Sequence, residues 1–436
     1  ADPPAQSTTQ STTQPTAQPP ALLAPVTKGD RLAYIDTLRG FALLGILMPN
    51  ILTFALPIDT RSQKPVLSET PANLAALWTH DIVFFGKFMF LFAMLFGAGV
   101  TIWDRKLAGK PLSHGTGRWY ARCGWLAAFG LAHGWLFWFG DILLLYGLAG
   151  MGLVWWVRRL PWQVLVPGGV AVYAVGSGVM LLLAWALSMA PEEQMSQQQA
   201  QQDAWFSADQ QIAAYTGSWL DALGMRAVML FQMYLLIPFV MIWWATGLMM
   251  LGMGLAKSSF LRGEAPAWVY ATVATLGLAI GLGVTIPWRA YVNAPDTDMA
   301  RGLMWVGSAQ FVGMPIGLAY ASILALVVKL AASNAVARAI SGGLGNVGRM
   351  ALSNYFSHTI ICCTVFYGYA FGYYGRIEFP QLWLIIAAIW VFNFAFSAIW
   401  LRYFRFGPAE WLWRCLTYWK LQPIRKPATQ SVPAAA

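Results

Sequence analysis

Residues 78–100 read WTHDIVFFGKFMFLFAMLFGAGV, and this stretch decides the fold class. From Ile82 to Trp103 a single charge, Lys87, interrupts the apolar sequence. A helix needs about 20 such residues to cross the roughly 30 Å of bilayer hydrocarbon. The run lacks the alternation of a barrel strand, and in lipid its backbone must satisfy its own hydrogen bonds, as a helix does. Comparable runs recur at 38–56, 119–138, 141–157, 163–189, 228–255, 267–287, 308–330, 355–373 and 382–400, so the pattern predicts about ten transmembrane helices. Of the 436 residues, 58% are hydrophobic and 11% charged, against about 25% charged in a soluble domain. So little charge cannot cover a soluble enzyme, and that class is excluded. The expected architecture is all-α: a polytopic integral membrane helical bundle with the lipid bilayer as its partner.

Charge placement predicts the orientation, because cytoplasmic segments collect Lys and Arg. With the N-terminus cytoplasmic, ten spans leave Arg61, Lys64, Arg226, Arg289, Arg301 and Arg376 outside and Lys87 within a span. The remaining Lys and Arg fall inside, and the C-terminus is cytoplasmic too. The formal charge of +10 is thereby explained by membrane topology, and no nucleic-acid partner is expected. Residues 1–27 form a Gln/Thr/Pro-rich tail of disordered composition. Residues 28–189 make an N-terminal bundle of about five spans. The Gln-rich connection 190–227 is expected to carry a short amphipathic helix on the outer side. Residues 228–425 make a second bundle of about five spans, and 426–436 a short tail. Cys123, Cys362, Cys363 and Cys415 show no CxxC or Cys/His spacing, so neither a disulfide nor a metal site is expected. No residue pattern specifies an oligomeric state.

A charge within hydrocarbon costs about 2.5–3.5 kcal/mol on insertion scales and so faces a partner or a cavity. In RLAYIDTLRGFALLGILMPNI (31–51) Asp36 and Arg39 share a helical face at the cytoplasmic mouth, where they pair or meet a ligand. Asn50 carries an amide toward the outer leaflet. His80 and Asp81 stand at the outer boundary of the second span, with Lys87 almost two turns deeper on roughly the same side. In GLAHGWLFWFGDILLLYGLAG (130–150), His133 lies near the outer end of one helix and Asp141 opens the next after a two- or three-residue turn. That hairpin can bring imidazole and carboxylate together, the pairing that orients a histidine as general base. The plainer reading is a hydrogen bond that ties two helices. In GNVGRMALSNYFSHTIICCTVFYGYAFGYYG (345–375), Arg349 and Asn354 sit at the inner mouth of the ninth span and Tyr367 toward its outer end. The Arg349 fork matches a phosphate or carboxylate. In FGPAEWLWRCLTYWKLQPIR (406–425), tryptophans flanked by basic residues read as an interfacial amphipathic segment.

These blocks, with GKFMFLFAMLFGAGV (86–100), occur in order over about 31–425. Together they resemble the YeiB-like bacterial inner-membrane family, whose C-terminal part is a domain of unknown function numbered 418. The resemblance implies a multi-pass protein of the bacterial inner membrane. The first-span motif of Asp36, Leu38, Arg39 and Gly40 is similar to openings of transmembrane acyltransferases, among them the acyltransferase type three family and the lysosomal heparan-alpha-glucosaminide N-acetyltransferase. That similarity implies acyl-CoA as cytoplasmic co-substrate and a small-molecule or glycan acceptor on the far side. Residues 78–99 faintly echo the second-span region of the lysosomal enzyme, with Asp81 at its aspartate. The histidine which that enzyme uses has no counterpart in SETPANLAAL (68–77).

Two functions are expected from these readings. In the first, an acyltransferase, Asp36, Arg39, Arg349 and Asn354 hold acyl-CoA. His133 with Asp141 activates the acceptor, Lys87 or Asn50 stabilises the oxyanion, and Asn50, Asp81 and Tyr367 contact the acceptor. In the second, a transporter or flippase, Asp36, Lys87, His133 and Asp141 mark a substrate or proton path.

Overall fold

The computed structural model describes residues 33–58, 68, 70–258, 260–292, 299–331 and 334–426. The tail expected over 1–27, and all of 426–436 beyond its first residue, lie outside the described residues. The described chain is helical, with one isolated antiparallel bridge between Phe404 and Arg425. α1 spans Ala33–Ala55 and α2 spans Pro71–Thr79, running through a π-helical turn (His80–Phe84) toward α3 (Lys87–Arg105). α4 is Thr116–Leu136, and α5 (Leu143–Met151) and α6 (Leu153–Val157) are separated by a break at Gly152. α7 is Trp162–Ser188, α8 Glu192–Phe206 and α9 Ala208–Thr216; α10 (Trp219–Leu236) passes through a second π turn into α11 (Ile242–Lys257). α12 (Ala267–Val292) and α13 (Met299–Leu330) precede α14 (Ala335–Arg349), α15 (Ala351–Phe366), α16 (Phe379–Tyr403) and α17 (Pro408–Tyr418).

Among the described residues, seven helices are long and apolar enough to cross a membrane: Tyr34–Ala55, Pro71–Arg105, Trp162–Ser188, Trp219–Lys257, Ala267–Tyr291, Ala300–Leu330 and Phe379–Tyr403. A chain with this many such helices is a multi-pass membrane protein. The other three expected runs take a different form. The run 141–157 is cut in two at Gly152, 119–138 lies in a helix that opens with Arg118 and Arg122, and 355–373 yields the 16-residue α15. Polar residues interrupt 119–138 and 355–373, and Gly152 breaks 141–157; these are the helices that build the site below. The 190–227 segment also differs from expectation. It holds two helices, α8 and α9, and α10 has already begun at Trp219.

Glycines set the closest crossings, since without a Cβ one backbone can rest on another. Gly97 of α3 meets the Met249 carbonyl of α11, and Gly252 of α11 meets the Met94 carbonyl of α3. Gly40 of α1 and Gly348 of α14 form a second reciprocal pair, against the carbonyls of Leu344 and Asp36.

Candidate functional site

Near the end of α4, His133 is 3% exposed. Its Nδ1 is 2.8 Å from Asp141 Oδ2, and its Nε2 is 2.9 Å from the Thr359 hydroxyl on α15. The other Asp141 oxygen accepts the Leu144 amide at 3.0 Å, in the first turn of α5. Both carboxylate oxygens are therefore engaged and the aspartate is fixed. An ionised carboxylate only accepts, so Nδ1 donates to Asp141, and the Thr359 hydroxyl, able to donate or accept, is the partner of Nε2. Tyr355, Phe356 and Trp138 surround the ring at 5.2–6.3 Å between centroids. The connection that brings Asp141 to His133 runs over residues 137–142, longer than the expected two- or three-residue turn. The amides of Phe137 and Trp138 both fold back onto the His133 carbonyl and end the helix there. Thr359 was not singled out by sequence; its one signal is its spacing of four from Tyr355 on the same face of α15.

Lys87 belongs elsewhere. Fully buried, it donates to the Asp81 carbonyl at 2.7 Å, and among the described residues this backbone oxygen, rather than His133 or Asp141, is its hydrogen-bond partner. The Asp81 carboxylate bridges His80 Nδ1 at 2.8 Å and Arg289 Nε at 2.5 Å, with Trp78 4.7 Å from the guanidinium carbon. The π turn and Gly86, at φ 81°, bend the chain so that these groups converge. Arg289, expected in an outer segment, is instead 3% exposed and paired within this cluster.

A third polar group joins α15 to α16. His358 Nε2 lies 2.7 Å from Asn393 Oδ1, and the Asn393 amide donates to Asn354 Oδ1 and Ser357. Asn354 in turn donates to Ser397 and the Val347 carbonyl, so both ends of its amide have internal partners. At the N-terminal end of α1, Asp36 and Arg39 form an ion pair of 2.7 Å. Arg39 also lies within electrostatic range of Arg122, whose guanidinium stacks 3.6 Å from the Trp413 ring of α17. Arg349, at the end of α14, has a buried Nε without a hydrogen-bond partner among the described residues. Asn50 is half-buried on α1, and Tyr367 is wholly buried.

α17 supplies a residue that sequence reasoning missed. Glu410 reaches the start of α15, where Oε1 accepts the amides of Leu352 (2.6 Å) and Ser353 (3.2 Å) and Oε2 accepts the Ser353 hydroxyl. Burial pushes this carboxyl above the usual carboxylate range, against the opposing pull of those hydrogen bonds. The folded state thus binds the Glu410 proton more tightly than the unfolded chain. Its contribution to stability is fully present below the unfolded-state value and is lost as pH rises through the folded-state value. Thermal unfolding followed across the acidic-to-neutral range should show the midpoint falling with rising pH, and Glu410→Gln should flatten that slope.

Comparison with known proteins places this chain in a family. The family described as "Protein of unknown function (DUF418)" matches residues 255–420. "Uncharacterized protein YeiB" of Escherichia coli (strain K12) is 33% identical over 413 residues, covering 89% of this chain and 96% of its own. The chain belongs to the YeiB family. "Uncharacterized protein YxaH" of Bacillus subtilis (strain 168) is 29% identical over 437 residues, 93% of this chain and 98% of that protein. The YeiB-like relatives therefore match nearly end to end, including the α4–α5 hairpin and α15. No solved structure matches the chain.

Proposed function

We propose that this chain is a membrane acyltransferase of the bacterial inner membrane. It would pass an acyl group from cytoplasmic acyl-CoA to a hydroxyl or amine of a sugar or other envelope acceptor at the outer face. In this reading α4, the α5–α6 pair and α15 complete ten spans, with both termini cytoplasmic. The observation that carries the proposal is the buried Asp141–His133–Thr359 alignment, which holds an imidazole between a carboxylate and a hydroxyl. With an acceptor hydroxyl at Nε2, His133 takes its proton as the oxygen attacks the thioester carbonyl, and returns the proton to the departing CoA sulfur. Asp141 stabilises the imidazolium between those events. Arg39, oriented by Asp36, and Arg349 bind the donor phosphates. Asn50 donates to the oxyanion and Tyr367 faces the acceptor. Lys87, tied to Asp81, and Asn354, tied to Ser397, take no part in the chemical step.

Calorimetry of acetyl-CoA and longer acyl-CoAs with detergent-purified protein tests the donor site. Binding is expected at micromolar concentrations, weaker by about tenfold or more in Arg39→Ala and Arg349→Ala, each of which removes a charge-assisted contact. No binding of any acyl-CoA would end the acyltransferase reading. A transporter or flippase for a small envelope-related substrate is the second reading, favoured by the buried His80–Asp81–Arg289–Lys87 group, since intramembrane charges of this kind line ion and substrate paths. Substrate movement in proteoliposomes without an acyl donor would support it.

A further inference from the structure

The α10 residue Arg226 falls in an outer connection by sequence, yet it is wholly buried. Its Nη1 donates to the Phe137 carbonyl at 3.2 Å, while Nε and Nη2 have no hydrogen-bond partner among the described residues. Among the described residues no carboxylate pairs with it. A buried cation with no counter-charge is costly, because it has given up water without gaining an opposite charge or full hydrogen bonding. Nε and Nη2 are moreover the two donors on one edge of the guanidinium, the fork that grips two oxygens of a carboxylate or phosphate side by side.

The surroundings repeat the pattern. Tyr367, also wholly buried, has a hydroxyl without a hydrogen-bond partner among the described residues and lies within electrostatic range of Arg226. Tyr215 stacks on Tyr367 with ring centroids 4.8 Å apart; the Tyr369 hydroxyl oxygen accepts from the guanidinium and the Trp219 ring lies 5.5 Å from its carbon, so both are neutral partners and neither supplies a counter-charge. We propose that Arg226 and Tyr367 form a binding site for an oxyanion, the phosphate or carboxylate of a ligand. Arg226 supplies the bidentate edge and Tyr367 an O–H donor.

The site adjoins His133. Phe137, whose carbonyl holds Arg226, has its own amide on the His133 carbonyl, one turn back. On the facing helix, Thr359 touches His133, and Cys363, one turn further on, approaches the same Phe137 carbonyl at 3.7 Å. One turn of helix is about 5.4 Å, so along the backbone the Arg226 contact lies about one turn beyond His133. The assignment rests on burial and unpaired donors and goes beyond the acyl-transfer reading: an oxyanion site here fails or stands whether or not acyl-CoA binds.

The test titrates the detergent-purified full chain with inorganic phosphate and with acetate, at constant ionic strength, against neutral glycerol. A third arm uses nanodiscs of phosphatidylglycerol or of phosphatidylcholine alone. Saturable binding of phosphate or acetate but not glycerol is expected. Arg226→Gln should abolish it, and Arg226→Lys, which keeps the charge and loses the fork, and Tyr367→Phe should each weaken it by about tenfold. Binding confined to phosphatidylglycerol nanodiscs would identify the anion as a lipid headgroup, and binding in detergent a soluble ligand. Should Arg226→Gln fail to fold, Tyr367→Phe carries the test. Absence of anion binding in every arm, or wild-type affinity in folded Arg226→Gln or in Tyr367→Phe, would overturn the proposal.

Discussion

His133→Ala should lower acyl transfer from acetyl-CoA by about 10²–10⁴-fold, the range expected when a positioned general base is removed, while acetyl-CoA binding stays close to wild type. The split follows from the geometry. His133 is bonded to Asp141 and Thr359, whereas Arg39, assigned to the donor, is paired with Asp36 at the N-terminal end of α1. Asp141→Asn should act almost as strongly, because an amide oxygen in place of the carboxylate no longer stabilises the imidazolium and an amide nitrogen there favours the wrong tautomer. Asp141 also accepts the Leu144 amide in the first turn of α5, so this variant needs its fold checked by size-exclusion chromatography and thermal unfolding. Thr359→Val removes only the hydroxyl that occupies Nε2 and should reduce transfer less than His133→Ala does. Transfer at the wild-type rate in a folded His133→Ala protein would refute the assignment of the base.

Gly252→Leu should prevent accumulation of folded protein, with an expected loss of about 3 kcal/mol or more, at or above the upper end for overpacking a core. A side chain there meets the Met94 backbone rather than a flexible side chain, so the helices must separate. Gly97→Val should act likewise, through the Met249 carbonyl on the other side of the same crossing. Gly99→Ala is the control. It lies two residues from Gly97 in the same tract, but a Cβ there meets nothing within 4 Å. Fluorescence-detected size-exclusion profiles after detergent extraction read all three variants. A monodisperse, wild-type-like profile for Gly252→Leu would show that α3 and α11 do not cross at these glycines.

Class and candidate residues were legible in the linear sequence for definite physical reasons. Hydrocarbon tolerates few charges, so long uncharged runs and a strong bias of Lys and Arg announce helices in a membrane before any contact is known. The same scarcity makes each intramembrane polar or charged residue conspicuous, which is why His133, Asp141, Lys87 and Asp81 stand out. The Asp36–Arg39 pair and the His133–Asp141 hairpin were readable as partners because they are close in sequence and local geometry governs such pairs.

Partners distant along the chain depend on which helix faces meet, and hydropathy does not encode that. Lys87 could be assigned to His133 or to Asp81 by sequence; the π turn and Gly86 direct it to the Asp81 carbonyl. Thr359 lies 226 positions from His133, and an isolated threonine in an apolar helix gives no sign of its bond. Glu410 reads as an acidic residue in the first turn of its own helix, whereas it accepts the first amides of α15. Arg226 reads as a solvated loop charge, and only the packing of α10 against the end of α4 reveals a buried guanidinium with its binding edge unpaired. The sequence by itself determined the solvent in which this protein folds and which of its residues are costly there. The tertiary structure decided which of those costs are offset by partners within the chain and which are left for a ligand, because that depends on burial and on donors converging from distant helices.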